Sequence, residues 1–448
     1  MKRFFQVVIG VFCLFPFMAS ASLFGAEEFY LDNGLHVAVV PNHKAPIVKT
    51  MLWYRVGSLN EPLGKGGLAH LLEHLMFRGT SKVPNSSFND LVAQNGAESN
   101  AFTTYEVTAY HEFSDISRLE AVLALEADRM VNLQISNEAF ESERAIVAQE
   151  RRQRVLNNPA AMFGEEMMRI LWNNQLYGRP VSGTEEEIAT LTREDAQAFY
   201  RRYYAPNRAV LILSGDLTLQ DAKRLAEKYF APISSRQDAE DETASQNDFK
   251  TQQSHYRFEK SLHWIRTPRV VRQWLVPSML TDPTAAFALE VFASYLGNGD
   301  SSYLNRHLVW TQKMVAADAS YDSLKQIAGV FELGFIPLTD EQTPEAEALL
   351  EPIVRQALED LDEQTLEREK AKISAHLVYV NDNPEDAAMM VGEWLSAGLP
   401  LEQLESYEES LRAVNLFAVY RAVTNMLQSS TEMVGVLHPM PLEDREKE

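Results

Sequence analysis

Cysteine is almost absent: the 448 residues contain one, Cys13, near the start of the chain. If the first 21 residues are removed, as their composition predicts, no thiol remains. A disulfide, a thiol nucleophile and a thiolate metal ligand are then all excluded. Basic residues are scarce too, with 41 Lys and Arg against 63 Asp and Glu and a formal net charge of −22. An acidic surface of this kind argues against nucleic acid and anionic membranes as partners. Beyond Phe17 no run is long and apolar enough for a transmembrane helix. A phosphate loop is missing as well. Gly297-Asn298-Gly299-Asp300 lacks the P-loop Lys and Ser/Thr, so it reads as a turn.

The amino-terminal segment has the make-up of a secretory signal. Lys2 and Arg3 form a charged start, Phe4 to Phe17 is apolar apart from Gln6, and Ala19-Ser20-Ala21 offers a small-residue cleavage site. The apolar run is short for a bilayer span, so the expectation is a cleaved signal and a soluble exported chain. An uncleaved anchor is the alternative. Cys13 follows Phe12 rather than the small residue that precedes a lipidated cysteine. Loss of Lys2 and Arg3 takes the net charge from −22 to −24. The remainder is long enough to bury a large core and build more than one domain.

The main break in the pattern is the polar stretch Ser234 to Ser254, SSRQDAEDETASQNDFKTQQS, which reads as a linker. The expected organisation is a signal at 1–21, a first domain at 22–233, a linker at 234–254 and a second domain at 255–448. His36 to Val40, Ile47 to Val56, Thr104 to Phe113, Val210 to Leu213, Arg269 to Val276 and Val330 to Ile336 look like strands. Helices are expected at Gly67–Phe77, Ser117–Leu133, Asn137–Asn157, Arg193–Tyr203, Pro283–Leu296, Pro344–Asp362 and Thr365–Val380. This mixture suits α+β sandwiches, in which helices cover one face of a largely antiparallel sheet. Residue identities alone reveal no internal repeat.

Residues 70–74 read His70-Leu71-Leu72-Glu73-His74. A helix turns about 100° per residue, so His74 lies near +40° and Glu73 near −60° of His70, on one face. Leu68, Leu71, Leu72, Leu75 and Met76 fill the rest of the circumference. A helix apolar nearly all round is buried, which turns the polar stripe toward an internal cavity. Gly79 supplies a stop signal. Further on, Asn137–Asn157 is rich in helix formers, and Glu143 and Glu150 share a face two turns apart. Two imidazoles, one carboxylate and an open position are a common ligand set for zinc in hydrolases. In this arrangement His70, His74 and Glu150 are candidate ligands for one Zn²⁺ per chain. Glu73 is the candidate base for a metal-activated water, and Glu143 the group that orients a ligand imidazole. His111, His307 and His376 have no ligand-spaced partner and read as structural or surface residues.

The order H-x-x-E-H is that of the inverted zincins. The chain resembles the pitrilysin/insulinase family, especially the short subgroup of mitochondrial processing peptidase and bacterial periplasmic zinc peptidases. The resemblance spans residues 28–440. It rests on HLLEHLMFRGT at His70 to Thr80 and Asn100-Ala101-Phe102-Thr103, and on Tyr177-Gly178-Arg179-Pro180 and Gly183-Thr184. It continues through Tyr204-Ala205-Pro206-Asn207 to Gly215-Asp216. It implies two similarly folded halves closing like a clamshell. It also implies His70, His74 and Glu150 as zinc ligands, Glu73 as base and Glu143 as support. Asn100, Ala101, Phe102 and Thr103 would form an edge strand that pairs with extended substrate backbone. The implied activity is a periplasmic zinc endopeptidase acting on extended peptides or unfolded segments; the alternative is a non-catalytic scaffold or assembly subunit.

One departure from the family bears on partners. Active relatives carry an Arg and, seven residues later, a Tyr that hold the substrate carbonyl. Counting from the turn Gly297–Ser302 through Leu304 and Leu308, those positions fall on Val309 and Ala316. The metal half of the site is therefore present without the carbonyl-holding half. The resemblance then implies a heterodimer with a paralogous subunit that carries the Arg/Tyr pair, with a homodimer as the alternative.

Overall fold

The computed structural model describes residues 22–83, 88–173, 175–236, 254–262 and 265–440. The signal-like residues 1–21 and positions 237–253 of the expected linker lie outside these.

Two sheets organise the chain. The first uses β1 (Glu27–Tyr30), β2 (His36–Pro41), β3 (Ile47–Tyr54), β4 (Glu98–Thr103), β5 (Thr108–Asp115) and β6 (Ala209–Gly215), in the order β1-β2-β6-β3-β5-β4. The second uses β7 (Ser254–Leu262), β8 (Arg269–Val276), β9 (Met314–Asp322), β10 (Gly329–Pro337) and β11 (Thr431–Pro439), in the order β7-β11-β8-β10-β9. With β1 set aside, the two orders are the same. The pairings agree as well. β2 lies parallel to β6 as β7 does to β11, and the remaining neighbours are antiparallel. The halves therefore repeat one α+β topology that their residue identities conceal.

Each half lends a helix to the other. One face of the first sheet packs Val37, Val39, Leu52 and Leu211 against Leu68, Leu72, Leu123 and Phe199 of its own helices. The opposite face sets Val40, Met51, Trp53 and Ile212 against Ala388 and Val391 of the second half's helix Pro384–Ser396. In return, Phe163, Met167 and Leu171 of the first half's helix Pro159–Leu171 cover Val271, Leu275 and Met433 of the second sheet. Central strands covered on both faces become continuously apolar, and β6 is buried at every position. Gly392 marks how close this contact is, because a Cβ there would overlap the Trp53 indole.

Most expected elements are present, with shifted ends. The strand expected from Thr104 to Phe113 is instead the turn and second arm of a hairpin. Thr104 N–H donates to Val107 O at 2.8 Å, and Thr104 Oγ1 accepts from Glu106 N and Val107 N, which reverses the chain between β4 and β5. The helix expected to reach Asn157 is α-helical over Asn137–Arg151 and continues as a π-turn over Arg152–Leu156.

Candidate metal centre and active site

The motif lies on the helix Leu68–Leu75, about two turns long, whose apolar members are all buried. Its start is fixed by two devices. Gly67 has φ +85°, a conformation that glycine adopts without strain. Glu61 then accepts from the backbone N–H groups of Gly67 at 3.2 Å and Ala69 at 2.8 Å, which satisfies two unpaired helix donors. Burial pushes the Glu61 carboxyl up to about 8, against those two hydrogen bonds and the Arg179 charge.

The helix Asn137–Arg151 lies alongside and brings its glutamates to the motif. One ligand atom from each of His70, His74 and Glu150 falls within a 4.8 Å cluster. Glu150 Oε2 is 3.3 Å from His74 Nε2, and Glu150 Oε1 is 3.9 Å from His70 Nε2. The imidazoles stand edge to face, with ring centroids 4.9 Å apart. Burial, then the neighbouring His74 and Arg154 charges, pushes His70 down to about 3. A ring held neutral keeps a lone pair for a metal.

His74 is set differently. Its Nδ1 lies 3.1 Å from Glu143 Oε2, leaving Nε2 directed at Glu150. Burial opposes its charge, but the bond to Glu143 and the charges of Glu73, Glu150 and Glu143 together raise its pKa. Glu143 is itself gripped by Arg78, whose Nε donates at 2.7 Å to Oε1 and whose Nη2 donates to the same oxygen. Although burial works against it, the bonds from His74 and Arg78 hold the Glu143 carboxyl below its usual value.

Glu73 faces a different partner. Thr103 Oγ1 on β4 donates to its Oε2 at 2.5 Å. Burial raises the Glu73 pKa, and the Thr103 bond partly offsets that. Among the described residues β4 pairs only with β5, which leaves its outer edge open to another strand. The Asn100 side chain accepts from Ala101 N–H at 2.9 Å. Asn100, Ala101, Phe102 and Thr103 all line a cavity of about 480 Å³ together with His70, Glu73, His74, Glu143 and Glu150. The structure thus gathers every site residue expected from sequence around one cavity. Two further members were not anticipated. Arg78 grips Glu143, and Arg154 Nη1 lies 2.8 Å from Glu150 Oε1. Both sit four residues beyond a site residue, His74 and Glu150, a spacing that could have flagged them.

Among the described residues, none of the second half lines this cavity. Val309 ends a π-turn and packs on the second-half core, and Ala316 lies on edge strand β9. The nearby Tyr321 donates its hydroxyl to Pro277 O, and Arg306 lies over the Tyr303 ring. Of the histidines read as structural, His111 Nδ1 is 2.9 Å from Lys49 Nζ, and His307 Nδ1 is 2.9 Å from Tyr303 O.

The sequence profile described as Insulinase (Peptidase family M16) matches residues 36–185, and that of the Peptidase M16 inactive domain matches 190–373. The chain belongs to the M16 peptidase family. Zinc protease PqqE of Helicobacter pylori is 27% identical over 92% of this chain and 93% of its own length. A crystal structure of a protease from Helicobacter pylori superposes with a TM-score of 0.83 at 26% identity, covering 92% of this chain and 99% of that one. A probable mitochondrial-processing peptidase subunit beta of Schizosaccharomyces pombe is 29% identical over 48% of this chain and 47% of its own. That likeness spans about half of each protein. M16 relatives named zinc proteases fit the donor set found here, two imidazoles and a carboxylate beside a second carboxylate in a water-accessible cavity.

Proposed function

We propose that this chain is an exported, periplasmic zinc metalloendopeptidase that hydrolyses extended peptides or unfolded segments. The observation that carries the reading is the convergence of His70, His74 and Glu150 within 4.8 Å, with Glu73 hydrogen-bonded to the open edge strand. His70, His74 and Glu150 would hold one zinc ion. Zinc supplies Lewis acidity to a water and to the scissile carbonyl. Glu73 takes a proton from the attacking water and passes it to the leaving amine nitrogen. Its raised pKa brings it toward the range in which both transfers are favourable. Glu143 fixes the His74 ring through Nδ1. Asn100 to Thr103 pair with substrate backbone, which gives affinity with little dependence on sequence. The working domains are 22–233, which holds the metal, and 255–448, which supports it. No helix among the described residues is long and apolar enough to cross a membrane.

The test is Glu73→Gln. The variant should retain zinc at the parental stoichiometry and lose peptide turnover. Parental turnover in it would remove Glu73 as the base. The scaffold alternative is disfavoured, since a scaffold has no chemical need for this constellation. Purified protein that neither carries zinc nor takes it up would revive it.

Stabilisation of the developing oxyanion needs donors near the carbonyl. Val309 and Ala316 have no side-chain donor, and no second-half side chain among the described residues lines the cavity. The reading therefore includes a paralogous partner that supplies an Arg/Tyr pair, with a homodimer as the alternative. Full activity of this chain alone, unchanged when such a partner is added, would refute the heterodimer.

A further inference from the structure

A second cavity, of about 400 Å³, lies where the two halves meet, and Phe102 lines both it and the metal cavity. Phe102 therefore separates two spaces that one substrate strand could use. On β4, Thr103 faces the motif helix through Glu73, while Phe102 packs edge-on against Trp53, ring centroids 5.2 Å apart, on the side covered by the second half. Successive side chains of a strand alternate between faces. A peptide added at the β4 edge thus sends one side chain toward the metal and its neighbour toward the second cavity.

The chemistry of that cavity favours a cation. Trp53, Phe102 and Tyr321 supply aromatic walls. Glu393, exposed at the cavity wall, has no hydrogen bond or ion pair to its carboxylate among the described residues. Desolvation by the cavity wall, and then Asp322, raise its carboxyl above the usual value although the side chain still reaches solvent. Ser396 and Ala397 bring the carboxyl-terminal end of the helix Pro384–Ser396 to the same wall, the end at which backbone dipoles attract positive charge. The cavity already accommodates one cation. Lys325 Nζ pairs with Asp322 at 2.7 Å and sits 5.4 Å and 5.1 Å from the Tyr105 and Tyr177 ring centroids. A second aromatic-lined place with an unpaired acid is left beside it.

We propose that this cavity is a subsite for a lysine or arginine side chain of the substrate strand, with Glu393 recognising the charge. The aliphatic stem lies along Phe102 and Tyr321, and the head group meets the carboxylate. This rests on the peptidase reading for the strand that delivers the side chain, but not on turnover.

The experiment uses the zinc-loaded full chain carrying Glu73→Gln and fluorescent extended peptides that differ at one position by Arg, Lys, Gln, Met or Glu, scanned along the peptide. Binding is followed by anisotropy. One register position should favour Arg and Lys over Gln by tenfold or more. Adding Glu393→Gln should shrink that ratio to within twofold, and Glu393→Lys should invert it toward the Glu peptide. Thermal melting should show Glu393→Gln at least as stable as its parent, because no partner is lost. A basic preference that survives Glu393→Gln, a preference for Met at that position, or no peptide binding would each overturn the subsite. Cleavage by the unmodified chain without any basic preference would overturn the subsite alone. Preferential binding without cleavage, by the unmodified zinc-loaded chain both alone and with the Arg/Tyr-bearing partner, would uphold the subsite and overturn the peptidase reading.

Discussion

Replacing Glu143 with Gln tests whether the metal centre depends on groups that never touch the metal. The Glu143 side chain is 4% exposed and divides its oxygens between two donors. Oε2 faces His74 Nδ1 at 3.1 Å, and Oε1 takes Arg78 Nε at 2.7 Å. Glutamine keeps one acceptor and turns the other into a donor. If the oxygen stays with Arg78, the amide N–H faces His74 Nδ1. That nitrogen must then accept, which moves the ring proton to Nε2, the atom directed at Glu150 and the proposed metal. Zinc binding would have to reverse that tautomer or break the new contact. Substitutions of this kind cost roughly 10–100-fold in metal affinity, about 1.4–2.7 kcal/mol. The metal-free fold should lose only about 1 kcal/mol, since Arg78 can turn to water. Competition with a chelator of known affinity at fixed pH reads the zinc dissociation constant. Affinities should rank with Glu73→Gln near the parent, Glu143→Gln weaker, and Glu150→Gln weakest. Parental affinity in Glu143→Gln would show that the orienting bond is energetically idle. A loss matching that of Glu150→Gln would mean Glu143 is itself a ligand.

The histidines predict how zinc affinity follows pH. His70, pushed down to about 3, carries no proton to displace, whereas His74, raised above its usual value, does. Once pH falls below the raised His74 value, affinity should weaken by about one decade per pH unit; a slope of two would show that both rings compete with protons. The contact between halves makes a second pair of predictions. Gly392→Ala drives a Cβ into the Trp53 indole and should lower the denaturation midpoint, with an overpacking cost of about 1–3 kcal/mol. Gly164→Ala, in the helix Pro159–Leu171 with nothing within 4 Å of the new Cβ, should raise the midpoint through a gain of about 0.5–1 kcal/mol. The reverse order of the two midpoints would refute the packing argument.

What could be read from sequence was local. The motif helix follows from periodicity alone, since Leu68, Leu71, Leu72 and Leu75 leave one polar face, and that face does meet the glutamate helix. Glu61 escaped notice because it caps the motif helix from a loop, and no spacing rule ties a loop residue to a helix start. β7 was obscured by its polar approach. SHYRFEKSL alternates, but it abuts the polar linker, whose composition runs on through Ser254. The exchanged helices were illegible for a deeper reason. The pattern of Pro159–Leu171 shows an apolar face but cannot say which sheet that face covers. The repeat was hidden likewise, because strand order and direction are preserved while the packing partners of each face differ.

The repeat also explains how one half can carry the whole metal cavity. The helix after β3 presents His70, Glu73 and His74 at the cavity. Its counterpart after β8, the helix Pro283–Gly297, buries Ala286, Phe287, Leu289, Val291 and Phe292, and its one acid, Glu290, accepts from the Tyr407 hydroxyl. The same topological position is thus an open site in one half and packed core in the other. Burial drives the Glu290 pKa up to about 7, and among the described residues it belongs to no cluster of metal-ligating side chains. The second half acts on the site through the first sheet. Its helix Pro384–Ser396 backs β3 and β6, the strands that fix β5 and, through it, the open edge at β4. A substitution that loosens Gly392 from Trp53 should therefore reach Glu73 through Thr103, although among the described residues no second-half side chain lines the metal cavity.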